Sequence, residues 1–279
     1  MSRKKSLQSG IGTGLFSFIS LVYVLPIIIV LFNSFKKKTF ISIEPFKLPT
    51  EDTFVGMENY ANSINQYDFL KAVGWTLFIT LGSVVVILLC TSMFAWYITR
   101  VHSRFTKLAY LLCVFSMVVP FQMVMFTLSL VTDRLGLGTP WGLVIIYLGF
   151  GAGLAVFMFC GFVKAIPIEI EEAALIDGCS PLRMFFAVVL PIMKPTYISV
   201  GILETMWIWN DFLLPYLTLD TNKYKTIAII IQYMKGSYGR VDMGAIMAAL
   251  IMAVIPVIIF YLSLQKHIIK GVAAGAVKG

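Results

Sequence analysis

Six carboxylates stand where an apolar chain has least use for them. Glu169, Glu171, Glu172 and Asp177 fall in one short segment between apolar runs, and Glu204 and Asp211 fall inside another such run. Grouped carboxylates can exchange protons, ligate metals, accept hydrogen bonds from ligand hydroxyls, or contact another protein. The residues around them argue against catalysis and metal binding. No nucleophile–base pair or metal-ligand cluster is present, and His102 and His267 lie among basic residues with no partner at ligand spacing. Cys90, Cys113 and Cys160 lie in apolar runs and Cys179 lies in the acidic segment, at spacings that suit neither zinc nor a redox pair. Ser34-x-x-Lys37 matches a serine–lysine pattern without its companion motifs. A GxxxxGK[ST] phosphate loop is absent, so any nucleotide chemistry belongs to another chain.

The elements that position these acids must be membrane helices. The chain is 59% hydrophobic and 13% charged, with a mean hydropathy of +0.88, more apolar surface than a soluble domain can hide. Its net charge of +8 comes from basic residues flanking the spans, and without a basic face nucleic-acid binding is not expected. The fold class predicted is all-α, a polytopic membrane protein of six transmembrane helices. Their expected positions are roughly 14–35, 72–98, 107–131, 141–163, 196–219 and 243–265, each near the ~20 residues a bilayer requires. The first apolar run, after Arg3, Lys4 and Lys5, is too long for a signal peptide and has no cleavage site after it. The balance of Lys and Arg places both termini in the cytoplasm. Segments 36–71 and 220–242 are then external, and Tyr224, Tyr233 and Tyr238 suit an interfacial helix. Residues 1–279 read as a single transmembrane domain, with 164–195 a cytoplasmic loop inside it.

That loop has local rules of its own. Pro167 suits the first turn of a helix, and Glu169, Glu171 and Glu172 place negative charge at the positive end of its dipole. Gly178 supplies the left-handed residue that ends a helix. Ser180-Pro181 begins a second helix, from Leu182 to Leu190, before Pro191 and Pro195 break the chain. Ala173 and Ala174 leave a low, smooth spot beside the acids. The pair of short helices is either a docking site for another protein or an amphipathic element lying on the membrane.

Glu172-Ala173-Ala174, Asp177-Gly178 and Leu190-Pro191 together resemble the EAA loop of permease subunits in ATP-binding-cassette importers. Trp209-Asn210-Asp211-Phe212-Leu213-x-Pro215 looks like the fifth-span motif of the sugar-importing branch, and the ending Gly271 to Gly279 is similar to the terminal signature of the maltose-type permease class. Pro120-x-Gln122 and Leu135-Gly136-Leu137 also fit. The resemblance covers about the whole chain. It implies a type I importer fold and a coupling helix at about 168–178 seated in a cleft of a cytosolic ATPase. Glu172 would make the polar contact, Ala173 and Ala174 would allow close docking, Gly178 would permit the turn after Asp177, and Pro191 would fix the exit angle. It further implies a second homologous permease, two ATPase subunits that carry the ATP and Mg, and an external sugar-binding protein. The setting would be a bacterial or archaeal plasma membrane, with no catalysis and no cofactor in this chain.

Glu204 and Asp211 are seven residues apart, on roughly one helical face, with Asn210, Trp207 and Trp209 beside them. Acids and aromatic rings are common tools for holding sugars. Glu204, Asn210, Asp211 and Gln122 are therefore the expected lining of the path. The competing reading has the same groups making interhelical or cap hydrogen bonds, and Thr127, Ser129 and Tyr147 are assigned to packing. A proton-coupled secondary transporter using Glu204 or Asp211 is the alternative function. It leaves the loop and the C-terminal signature unexplained.

Overall fold

A backbone that crosses lipid must satisfy its own N–H and C=O groups, and a helix does so within one segment. The computed structural model describes residues 2–236 and 241–276, with side chains over 12–236 and 241–266, and these residues are mainly helical. Among them the β structure is an isolated bridge between Lys36 and Phe54. In chain order the helices are α1 (Ser2–Asn33), α2 (Lys38–Ile43), α3 (Glu58–Gln66), α4 (Phe69–Arg100), α5 (Arg104–Ser116), α6 (Phe121–Arg134), α7 (Pro140–Val163) and α8 (Ile168–Ile176). There follow α9 (Pro181–Met184), a π turn (Phe185–Val189), α10 (Leu190–Ile192), α11 (Lys194–Asn210), α12 (Leu213–Thr218), α13 (Ile227–Met234) and α14 (Met243–Ala276).

Among the described residues four helices are long and apolar enough to span a bilayer by themselves: Gly12–Asn33, Phe69–Arg100, Pro140–Val163 and Met243–Lys266. The expected third span is a bent pair, Arg104–Ser116 meeting Phe121–Arg134 at 104°. The expected fifth, 196–219, falls on α11 and α12, whereas the second apolar bent pair is Pro181–Ile192 with Lys194–Asn210, at 78°, and begins inside the segment expected as a loop. Counting each bent pair once gives six spans among the described residues, with the fifth displaced towards the N-terminus. Pro120, extended at φ −62° and ψ 135°, explains the first bend, since it lacks an N–H and pushes the residue before it out of the helical region. A smooth hydropathy profile over 107–131 conceals that break.

The chain divides into two compact units, Met1–Leu70 with Ile230–Ile259 and Lys71–Ile229 with Phe260–Gly279. In the first unit, the most apolar stretch of α1 buries nothing within the chain. Its far end, by contrast, is held by polar side chains. Asn33 Nδ2 donates to the carbonyls of Ile29 (2.8 Å) and Pro45 (2.7 Å), and Asn59 Nδ2 to those of Ser34 and Lys36 (2.8 Å each). Lys36, almost fully buried, donates to the Glu44 carbonyl at 2.9 Å and lies 5.1 Å from the Phe32 ring centroid. These bonds tie the turn after α1 to segment 44–45 and to α3, and occupy buried carbonyls there. At the start of α14, Asp242 accepts from the Ala245 amide at 3.1 Å and from the Tyr67 hydroxyl at 3.3 Å. Burial and that carboxylate together push the Tyr67 phenol above its ordinary pKa.

The second unit packs α4, α5, α7 and α11 around Tyr147, Phe159, Phe185 and Met193, all fully buried. Gly153 lets α7 approach α5 so closely that a Cβ there would lie 2.6 Å from the Met117 side chain and 2.8 Å from the Cys113 carbonyl. The Thr76 hydroxyl accepts the Ile227 amide at 2.9 Å, and Trp75 meets the Tyr224 ring edge-on at 5.1 Å.

In the first unit Gly244 presses on Asn59: an added Cβ would lie 2.2 Å from its Oδ1. Gly244→Ala should therefore displace the amide that holds Ser34 and Lys36, costing about 1–3 kcal/mol. Gly161→Ala, where a Cβ meets nothing within 4 Å, should be neutral or stabilising by up to ~1 kcal/mol. Thermal unfolding of the two variants in detergent checks this, and equal midpoints would refute the Asn59 contact.

Candidate functional site

The loop after α7 folds largely as its punctuation dictates. Pro167 is the N-cap residue, one position before the first turn, and Glu169 and Glu171 lie in the first turn of α8, where the dipole favours negative charge. Gly178 has φ +79°. Its amide donates to the Leu175 carbonyl and that of Cys179 to Ala174, 3.0 Å each, the paired closure of a left-handed helix end. Ser180 then caps the Arg183 amide at 3.4 Å, with Pro181 in the first turn of α9.

Pro191 departs from expectation. Instead of breaking the chain, it lies within the helical run Pro181–Ile192, and the bend comes at Met193. The π turn accounts for this. The Leu190 amide donates to Phe185, five residues back, and the widened turn accommodates a proline that cannot donate and would crowd the carbonyl four residues earlier. Pro195 begins α11 beyond the bend.

The acids of the loop divide between two faces. Glu171 is 4% exposed, and its Oε1 accepts from Arg100 Nε (2.9 Å) and Nη2 (2.7 Å). Its Oε2 accepts from Trp96 Nε1 at 2.9 Å, while Arg100 Nη2 also donates to the Ile166 carbonyl at 3.0 Å. Ala174 is buried on the same face. Glu172, Ala173, Asp177 and Gly178 are exposed, so Ala173 and Ala174 do not form one docking spot. The exposed side also carries Leu175, Leu182 and Ile176, the last 87% exposed. Sequence reasoning missed Glu171 as the anchor. The available signals were an arginine ending a long apolar helix and the three-residue spacing of Glu171 and Ala174, which puts them on one face.

In the fifth span the structure separates the expected residues. Glu204 is 2% exposed. It points at α7, where a Cβ on Gly151 would lie 2.9 Å from its Oε2 and 2.7 Å from Ile87 Cδ1. That Oε2 has no hydrogen-bond partner among the described residues. Asp211 ends α11 with an extended ψ of 127°. Its Oδ1 accepts from the amides of Leu213 (2.9 Å) and Leu214 (3.3 Å), and its Oδ2 from the Tyr147 hydroxyl at 3.0 Å. Tyr147 in turn meets the Trp207 ring edge-on at 5.4 Å. Asn210 is exposed and donates to the Met206 carbonyl at 2.7 Å. Gln122 is exposed in the first turn of α6, whose Ser129 hydroxyl donates to the Leu217 carbonyl at 2.9 Å. Thus Asp211, Tyr147 and Trp207 come together, Glu204 faces inward, and Asn210 and Gln122 face outward. Tyr147 is more than packing. The side chains of the C-terminal signature, Gly271 to Gly279, lie outside the described residues.

Removing either side of the Glu171–Arg100 pair leaves the other charge buried without its partner, a loss of about 3–5 kcal/mol. Arg100→Met and Glu171→Met should each speed amide exchange across Ile168–Ile176, and the charge-free double variant should recover part of the protection. Hydrogen exchange on the full chain checks this. Unaltered protection in both single variants would show that the pair does not hold α8.

The model of the family described as binding-protein-dependent transport system inner membrane component matches residues 90–274, which include the helix pair and the broken span. A probable starch degradation products transport system permease protein, AmyC of Thermoanaerobacterium thermosulfurigenes, is 36% identical over 277 residues, covering 99% of each chain. A multiple sugar-binding transport system permease protein, MsmG of Streptococcus mutans, is 33% identical, covering 92% of this chain and 93% of its own. In the solved structure of a bacterial transporter involved in import of the acidic polysaccharide alginate, one chain has the same fold, with a TM-score of 0.79 at 22% identity over 95% of this chain and 98% of that one. By family match and by full-length identity, this multi-pass membrane chain belongs to the binding-protein-dependent transport system inner membrane components, the permease subunits of ATP-binding-cassette importers.

Proposed function

We propose that this chain is one of two homologous permeases in an ATP-driven importer of sugars or oligosaccharides, with α8 as its coupling helix. The observation that carries the reading is the outward side of α8 and its turn. Glu172, Ala173 and Asp177 stand there beside bare Leu175, Ile176 and Leu182, on an element fixed from behind by Arg100. An exposed apolar cluster rimmed by acids suits a protein partner. Two cytosolic ATPases that bind ATP and Mg would seat the helix, and their closure would push it as a rigid lever. The sugar assignment rests on what the full-length relatives are named for.

The remaining partners follow the same logic. The bare apolar length of α1, with Gly12, Ser17 and Ser20 along it, offers small residues for close helix packing with a second permease. The ordered segment 36–66 faces outward and receives an external sugar-binding protein, with both termini in the cytoplasm. In the path, Asn210 and Gln122 reach the sugar, with Trp207 offering a ring. Asp211, occupied by two amides and a phenol, holds the break open, and Glu204 supports it from inside. An Asp211 committed to capping is a poor proton carrier, which weakens the proton-coupled alternative.

The test is purification from the native host in mild detergent, followed by reconstitution with the external binding protein. A second permease and an ATPase should co-purify, with sugar-stimulated hydrolysis; a lone stable chain would refute the reading. Gly178→Val isolates the coupling role. A Cβ there meets nothing within 4 Å, so the strain comes only from φ +79° and costs about 1–2 kcal/mol. Hydrolysis should persist while uptake falls, and normal uptake would remove α8 from coupling.

A further inference from the structure

Between the end of α4, the first turn of α5 and the end of α7 lies a recess of about 530 Å³, within the range of small-molecule sites. Its charged lining is of one sign: Arg104, Lys107 and Lys164, with His102 beside them and no acid among the lining residues. Tyr110 completes one wall, with Lys164 Nζ 5.8 Å from its ring centroid. The floor is fixed. Ser103 and Thr106 cap each other reciprocally at the start of α5, through bonds of 3.1 and 3.0 Å, and the buried Thr106 hydroxyl donates to the Val101 carbonyl at 2.8 Å. The first turn of α5 therefore presents its positive dipole end to the recess.

We propose that this recess holds the phosphate headgroup of an anionic phospholipid. Charge alone would suit any phosphate, so the apolar surface next to the recess identifies the source. Leu108, Leu111, Leu112 and Phe115 continue along α5 from Arg104 and Lys107 at helical spacing, and each is more than half exposed. A free anion has no use for that stripe, whereas acyl chains lie along it while the headgroup meets the cations. Arg100, the neighbouring cation, takes no part because Glu171 occupies it. The recess shares no lining residue with the proposed sugar path or the outward side of α8, so the proposal does not depend on the import reading.

The test uses the full chain, both by itself and with any subunits that co-purify, delipidated and titrated with phosphatidylglycerol or phosphatidylcholine of matched chains. Bound lipid is counted by native mass spectrometry, with and without inorganic phosphate. Phosphatidylglycerol should bind in preference. Arg104→Gln, Lys107→Gln and Lys164→Gln should each weaken it about fivefold, the effect of one basic residue near an anionic membrane surface. Arg104→Lys and Lys107→Arg should retain binding, which separates lost charge from lost folding, and Lys223→Gln, remote and exposed, should change nothing. Equal binding of the two lipids, or indifference to the Gln substitutions, would overturn the proposal. Full displacement by inorganic phosphate would make it a free-anion site, and loss of binding only in the assembled complex would make the occupant a protein; either result also overturns it.

Discussion

The pairing of Arg100 with Glu171 is the interaction on which the rest depends. A guanidinium at the last residue of a long apolar helix has two tolerable places, open water or a full set of acceptors. Here it has acceptors: Arg100 Nε and Nη2 donate to one carboxylate oxygen, Trp96 Nε1 donates to the other, and Nη2 also donates to the Ile166 carbonyl. A buried pair so well satisfied need not add much net stability, but it strongly penalises every arrangement that separates its members. It thereby fixes where α8 sits against α4. The ion pairs Lys47–Glu44 and Lys223–Asp220 join residues three apart in turns, are more exposed, and have no comparable role.

The same accounting governs the broken spans. Each interruption of a helix frees amides and carbonyls that lipid cannot satisfy, and at several helix ends, though not at the bends at Pro120 and Met193, the chain places a polar side chain. Asp211 receives the amides that open α12, Thr139 receives the Gly142 amide at 3.1 Å where α7 begins behind Pro140, and Ser129 reaches the Leu217 carbonyl. Asp211, Thr139 and Ser129 thus act on the backbone at helix ends. A break can therefore be placed along a translocation path without exposing bare peptide to lipid.

This explains what the sequence disclosed and what it withheld. The unbroken spans were legible because hydropathy integrates over a whole helix, so 141–163 falls almost on Pro140–Val163, whereas the bends in the third and fifth lie below its resolution. The helix pair was legible because Pro167, Gly178, Ser180 and Pro181 act on their own backbone, through rules that need no neighbour. Pro191 misled because its consequence depends on the π turn before it, which no local rule requires. Glu171 and Tyr147 were missed because their partners, Arg100 and Asp211, lie 71 and 64 residues away. Composition makes Glu169, Glu171 and Glu172 equivalent; only the packing of α4 separates them. Ala173 and Ala174 were paired by adjacency, although neighbours on a helix point about a quarter-turn apart.

These attachments also limit how the second unit can move. α8 is tied to α4 by Arg100, and α4 to α11 by the hydrogen bond between Ser92 and Tyr197. α11 is tied to α7 twice, at its middle where Glu204 meets Gly151, and at its end where Asp211 holds Tyr147. A push on α8 therefore cannot be absorbed by local slack in the fifth span, because that span is pinned along its length to two others. The force passes into α4, α7 and α11 together, and a packed core of this kind shifts between discrete arrangements more readily than it deforms. The buried acid at Glu204 fits this role: a side chain with 2% exposure beside a glycine contributes by shape and register before it contributes by charge. Under the function proposed above, coupling is a property of how these helices are fastened, and the residues proposed to meet sugar are carried by that frame.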